Sequence, residues 1–225
     1  MVGIVVRDLT KVYDLGEVEV IALRGLDATF APGKVTWIRG PSGSGKTTLL
    51  NLIGGLDRPT AGSIEVDGAN IVRLPESELV AYRLTRVGFV FQFFNLVSVL
   101  TAWENVELPM RFAGVAPKER ERRARDLLAA VGLEDKANRR PEQMSGGEQQ
   151  RVAIAVALAN DPEFLLADEP TGELDSENAI AVLDLLRVAS AERGKTVLLV
   201  SHDPHAGKIA DSTMQMVDGR IVATT

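Results

Sequence analysis

Nine consecutive residues, Gly40-Pro41-Ser42-Gly43-Ser44-Gly45-Lys46-Thr47-Thr48, have the types and spacing needed to hold a polyphosphate. They fit the pattern Gly, four residues, Gly, Lys, Ser/Thr. Glycines let successive backbone N–H groups turn inward around an anion, and the start of a following helix adds partial positive charge. At this spacing Lys46 reaches the β- and γ-phosphates, and the Thr47 hydroxyl becomes a ligand for Mg²⁺. The strand-like run Val35-Thr36-Trp37-Ile38 precedes the loop. A helix is expected over 48–53, closed by Gly54-Gly55. That strand–loop–helix setting is the one the chemistry requires.

A second group supplies acids. Phe164-Leu165-Leu166-Ala167 reads as a buried strand that delivers Asp168 and Glu169 at its C-terminal end, where ligands bind in open α/β sheets. Asp168 is placed to hold Mg²⁺ through water. Glu169, one residue further, faces the γ-phosphate and can polarise an attacking water. Kinases, GTPases and motor ATPases share such a loop. The Asn-Lys-x-Asp that reads guanine is missing, and no acceptor site with basic lid residues stands out.

The elements that must position these groups follow from patterning. Ser63-Ile64-Glu65-Val66 alternates before the turn Asp67-Gly68, and residues 214–222 repeat the device around Asp218-Gly219. The N-terminal third reads as short strands and turns. Pro117 opens a helix whose Ala124, Leu127, Leu128 and Val131 share one face, and Gly132 stops it. Helix 176–193, ended by Gly194, leads to a strand over 196–200. Strands separated by helices imply a parallel sheet of α/β type. The run 152–159 is apolar all round and suits a helix buried on every side.

Composition sets the limits. The chain has 225 residues, with 25 Lys+Arg against 31 Asp+Glu, a formal net charge of −6. This acidic balance argues against a nucleic-acid partner. Arg120, Arg122, Arg123 and Arg125 are interleaved with Glu119, Glu121 and Asp126 and lack stacking aromatics, so they read as a solvated helix face. Cysteine is absent, which excludes disulfides and zinc–thiolate sites, and only His202 and His205 could offer imidazole. Apolar runs fall far short of the roughly 18 residues of a membrane span. Met1-Val2-Gly3-Ile4-Val5-Val6 meets Arg7-Asp8 at once and does not read as a signal peptide. The expectation is one compact unit with an inserted helical lobe.

Ser145-Gly146-Gly147-Glu148-Gln149-Gln150-Arg151 then decides between the classes. With the loop and the Asp168-Glu169 strand, it resembles the signature motif of ABC-type ATPases, and the resemblance covers essentially the whole chain. It implies a P-loop NTPase, RecA-like α/β core (1–92 and 161–225) with an N-terminal antiparallel β subdomain and an inserted α-helical signature lobe (93–160). It implies ATP and Mg²⁺ as ligands. Gln92 looks like the glutamine that contacts Mg²⁺ and water. His202 looks like the histidine on the γ-phosphate, and Leu174-Asp175 like the loop whose acid lies near the partner's P-loop. Tyr13 sits where the family places an aromatic ring against adenine. Ser145-Gly146-Gly147 opens a helix and so forms a second anion site. The family uses it in trans, with two ATPs clamped between two head-to-tail chains. A homodimer or a paralogue heterodimer is therefore expected.

Several features resemble the subgroup serving lipoprotein release and macrolide export: Lys11-Val12-Tyr13-Asp14-Leu15-Gly16, Gly54-Gly55-Leu56-Asp57, Phe91-Gln92-Phe93-Phe94-Asn95-Leu96 and Asp168-Glu169-Pro170-Thr171-Gly172. The resemblance implies a cytoplasmic subunit, peripheral on the inner face of the cell membrane through a separate permease. That permease would dock near Phe93, Phe94, Leu96 and Val97, residues that equally suit the core of the helical lobe. Four positions depart from the pattern: Met144 for Leu, Glu148 for Gln, Val156 for Arg and Glu173 for Asn. The rival readings are an ABC ATPase that works without a permease, an ATP-dependent clamp that senses rather than hydrolyses, and, more remotely, a P-loop kinase.

Overall fold

A computed structural model describes residues 3–14, 16 and 18–225. Met1, Val2 and Leu15, each part of a motif discussed above, lie outside the described residues. Two sheets organise the chain. The first is four-stranded and antiparallel in the order β2-β1-β4-β5, with β1 Ile4–Asp14, β2 Glu19–Phe30, β4 Ala61–Val66 and β5 Ala69–Asn70. The second has six strands in the order β10-β9-β3-β8-β7-β6. Its members are β3 Val35–Arg39, β6 Val87–Phe91, β7 Phe164–Asp168, β8 Thr196–Val200, β9 Ser212–Val217 and β10 Arg220–Thr224. β9, β3, β8, β7 and β6 run parallel, and β10 closes the edge antiparallel.

The central strands β7 and β8 read as near-continuous apolar runs because both faces are covered. Successive side chains point to opposite faces. Phe164 and Leu166 of β7, with Leu198 and Val200 of β8, join the core shared with the antiparallel sheet and helix α1 (Lys46–Ile53). Leu165, Ala167, Val197 and Leu199 face the other way, into the core shared with the helical lobe. That lobe contains α3 Ala102–Phe112, α4 Pro117–Ala130 and α5 Gly146–Leu158; α6 Ser176–Arg193 packs on the same core. A further helix, α2 Glu76–Arg86, precedes β6, and the short α7 Ala206–Ile209 follows β8.

The hairpins at Asp67-Gly68 and Asp218-Gly219 form as expected, with positive φ at all four residues. α4 and α6 start where the sequence places them, and α6 stops at Gly194 with φ 65°. Three expectations need correction. The first two strands, β1 and β2, are long, 11 and 12 residues, whereas the others of the N-terminal third are short as expected. Register shifts interrupt β1 and Asp8 takes φ 46°, so the alternation that marks a strand is broken in the middle. α1 begins at Lys46, two residues before the expected start, because Gly45 in the left-handed region (φ 97°) already serves as its N-cap. Val156 is only half-buried, so α5 is not enclosed on every side.

Candidate functional site: a cleft at the strand ends

The loop between β3 and α1 wraps back on itself. Gly40, Gly43 and Gly45 all take positive φ, and a Cβ at Gly40 would lie 2.1 Å from the Met216 carbonyl oxygen. Only glycine fits there. Lys46 is buried, and its ammonium donates to the carbonyls of Gly40 and Pro41, both at 2.9 Å. The charge thus lies inside the ring of the loop. The Ser44 hydroxyl is buried with no hydrogen-bond partner among the described residues. An oxyanion inside the loop would supply one.

Around the loop lies a cleft of about 560 Å³, bounded also by Val20–Ala22 of β2, Gln92, Asp168, Glu169 and His202. Topology brings these together. β6 and β7 pair with Phe91 opposite Asp168, so Gln92 leaves its strand beside the acids. Asp168 pairs with Val200 of β8, so His202 leaves at the same level. The Thr47 hydroxyl donates to Asp168 Oδ1 at 3.2 Å. Burial pushes the Asp168 carboxyl above the usual range, opposed by that hydroxyl and by the Lys46 charge. Among the described residues no three His, Asp or Glu side chains gather into a cage for a metal. Thr47 and Asp168 supply hard oxygen donors side by side, which suits Mg²⁺, an ion that keeps water and phosphate oxygens in its shell.

Glu169 takes φ 49°, a strained value of the kind found at functional positions. Its N–H donates to the Val200 carbonyl at 2.9 Å. Among the described residues its carboxylate is held by His202: Oε2 accepts from the His202 backbone N–H at 3.1 Å, and Oε1 lies 3.4 Å from Nε2. His205 stands apart, with its ring on Asp203 at 2.9 Å. Tyr13 is not among the residues bounding the cleft. Its hydroxyl donates to Asp57 at 2.9 Å, and the Lys11 ammonium lies 4.7 Å from its ring centre. Burial raises the Tyr13 hydroxyl pKa, and the bond to Asp57 adds to the rise.

The Ser145-Gly146-Gly147 segment is not part of the cleft's lining. Ser145 caps α5, accepting from the Glu148 N–H at 3.3 Å, while Glu148 accepts from the Ser145 N–H at 2.9 Å. Glu148 is therefore a capping-box residue, and Lys136, which also pairs with it, holds its carboxyl below the usual range. Gly147 packs against Asn178, since a Cβ there would fall 2.0 Å from its Oδ1. Gly146 has room, with nothing closer than 3.6 Å to the same notional atom. Asp175 caps α6 through the Asn178 N–H at 2.9 Å and is held below the usual range by that bond.

Of the apolar residues after Gln92, Phe93 is 70% exposed. Val97 is also exposed, Phe94 is half-buried and Leu96 packs on the core of the helical lobe.

Sequence reasoning met Gln150 only as a member of the signature motif and gave it no role of its own. Fully buried in α5, it donates to the carbonyls of Pro170 (2.7 Å) and Phe91 (3.1 Å), the neighbours of Glu169 and Gln92. A polar residue just before the apolar run 152–158 and on its buried face is the signal that could have found it. Gln150→Leu removes the donor from the buried Pro170 carbonyl and from the partly buried Phe91 carbonyl. It is expected to lower stability by roughly 1–3 kcal/mol, read as a lower denaturation midpoint with an unchanged denaturant dependence.

A glycine loop at the start of a helix, a buried lysine within its ring and two acids at the end of β7, one strand removed from β3 in the parallel sheet, define a P-loop nucleoside triphosphatase. Comparison with known proteins narrows the class. A profile of the family described as "ABC transporter" matches residues 23–172. The lipoprotein-releasing system ATP-binding protein LolD of Geobacter metallireducens is 44% identical over 218 residues, 97% of each chain. The macrolide export ATP-binding/permease protein MacB of Marinobacter nauticus is 45% identical over 219 residues, which is 97% of this chain but 34% of that protein. The fold is similar to the dimeric ATP-binding cassette MJ0796 in a post-hydrolysis state bound to ADP and Pi, with TM-score 0.91, 42% identity and coverage of 99% of this chain and 97% of that one. The chain belongs to the ABC transporter family, in the group that includes LolD and MacB. It is an ATP-binding, ATP-hydrolysing cassette that uses Mg²⁺.

Proposed function

We propose that the chain hydrolyses ATP in a head-to-tail pair of copies and thereby drives a separate membrane permease. The observation that carries the reading is the division of the anion-binding elements. The loop at 40–48 borders the cleft, while the helix start at Ser145-Gly146-Gly147 does not, so a second chain is needed to bring the two to one ligand. The dimeric cassette of similar fold supports it.

In this reading Gly40, Ser42, Gly43, Ser44, Gly45 and Thr48 cradle the phosphates with backbone N–H groups, Pro41, which has no N–H to give, shapes the loop, and Lys46 leaves its loop carbonyls for phosphate oxygens. Thr47, Asp168 and Gln92 hold Mg²⁺, which neutralises charge developing on the phosphates. Glu169 polarises the attacking water, and His202 keeps that carboxylate oriented and reaches the γ-phosphate. Tyr13 meets the adenine by turning from Asp57. Ser145, Gly146 and Gly147 cap the other copy's ATP, and Asp175 approaches that copy's P-loop. Rate enhancement comes from positioning and fixed charge.

The expected station is the cytoplasmic face of the membrane, through the permease. No helix among the described residues is long and apolar enough to cross a membrane. The MacB relative, named as an ATP-binding/permease protein, supports such a partner. Exposed Phe93 and Val97, beside half-buried Phe94, form the docking face around Leu96. Phe93→Asp is expected to shift the tagged chain from the membrane pellet to the supernatant of its host cells, while ATPase of the purified chain stays within two-fold or so. Retention in the pellet would remove Phe93 from the docking face.

A further inference from the structure

The Gln92 amide is held from two sides by the turn that follows Glu169. Its Nε2 donates to Glu173 Oε1 at 2.8 Å. The same side chain lies over Gly172, where a Cβ would come within 3.1 Å of Nε2 and 3.2 Å of Cδ. The turn itself is tight: Gly172 N–H donates to the Glu169 carbonyl at 3.0 Å, and Leu174 N–H to the Thr171 carbonyl at 3.1 Å. Glu173 therefore sits on the backbone that also fixes Glu169. Among the described residues it forms no ion pair, and Gln92 is the partner of its carboxylate.

A side-chain amide has a donor end and an acceptor end, whereas an ionised carboxylate only accepts. Glu173 thus dictates which end of Gln92 faces it. With the nitrogen engaged, the oxygen is left for the cleft that Gln92 borders, and oxygen is the atom a hard divalent cation requires. An amide at 173 would pair with either end and leave both orientations open. We propose that Glu173 is a positioning residue for ATP hydrolysis: it locks the Gln92 amide with its oxygen toward the cation site, and Gly172 leaves the space in which the amide lies. This rests on the reading of Gln92 as a Mg²⁺ ligand. Partners of that kind behind a ligand typically change metal affinity by about 10–100-fold when replaced.

The test uses Mn²⁺ in place of Mg²⁺, with Glu169→Gln present throughout to stop turnover. Mn²⁺ binding to the protein–ATP complex is followed by electron paramagnetic resonance. ATP affinity in EDTA and the melting temperature of the nucleotide-free chain are measured alongside. Glu173→Gln is expected to weaken Mn²⁺ binding about ten-fold, with ATP affinity in EDTA and melting temperature unmoved. Glu173→Asp, which keeps an acceptor-only group, should recover part of the loss. Gln92→Ala should lose at least as much, and adding Glu173→Gln to it should cost nothing further. Unchanged Mn²⁺ affinity in Glu173→Gln beside a clear loss in Gln92→Ala would overturn the role of Glu173 alone. Unchanged affinity in Gln92→Ala would overturn the ligand reading, and the proposal with it.

Discussion

Glu169→Gln is expected to bind ATP normally, to lose turnover by roughly 10²–10⁴-fold, and to accumulate as a nucleotide-bound dimer. The substitution keeps shape and removes charge. The amide side chain can sit on the same left-handed backbone and still accept from the His202 N–H, so the contacts now at 3.1 and 3.4 Å need little rearrangement. What is lost is the group able to draw a proton from water. On the proposed reading hydrolysis releases the pair, so blocking it is expected to leave the clamp closed. Phosphate release measures the first effect, and size-exclusion chromatography with light scattering in ATP measures the second. Turnover near that of the unaltered chain would remove Glu169 from the role of base.

Lys46→Ala carries the other large effect. The buried ammonium is held by two loop carbonyls at 2.9 Å each, positioned to exchange those oxygens for phosphate oxygens without moving the backbone. A charge-assisted contact of this kind is worth about 1.5–3 kcal/mol, which corresponds to roughly a ten- to hundred-fold weaker Kd for ATP. Titration of a fluorescent ATP analogue in EDTA isolates the phosphate contact from the cation. An unchanged Kd would place Lys46 outside the phosphate site.

How much of this was legible from sequence depended on distance along the chain. The phosphate loop is local. Its glycines, lysine and flanking strand and helix fall within some twenty residues, and the one displaced boundary, at Lys46, concerns a cap. Asp168 and Glu169 were legible because an apolar run must be a buried strand whose end faces outward. The clasp between Glu169 and His202 spans 33 positions and the contact between Gln92 and Glu173 spans 81. Both depend on strand order in the parallel sheet, which no local pattern encodes. Gln92 and His202 were reached only through resemblance to a family, and Glu173 was visible only as an added charge. α3 was hidden by Pro109 within it, although Thr101 and Glu104 form the capping box that marks its start. Phe93 and Leu96 look alike in sequence, yet one is exposed and the other packs on the helical lobe.

The central claim, that each ATP is held by the loop of one copy and the helix start of the other, is tested most directly by mixing two inactive variants. Lys46→Ala disables the loop. Gly146→Asp sets a negative charge at the start of α5, at a position with space for the side chain. Neither variant should hydrolyse ATP alone. In a mixed pair, one of the two sites combines the intact loop of one copy with the intact helix start of the other, so turnover should reappear on mixing. Failure of any mixing ratio to restore phosphate release, with both variants folded and able to associate, would contradict the shared site.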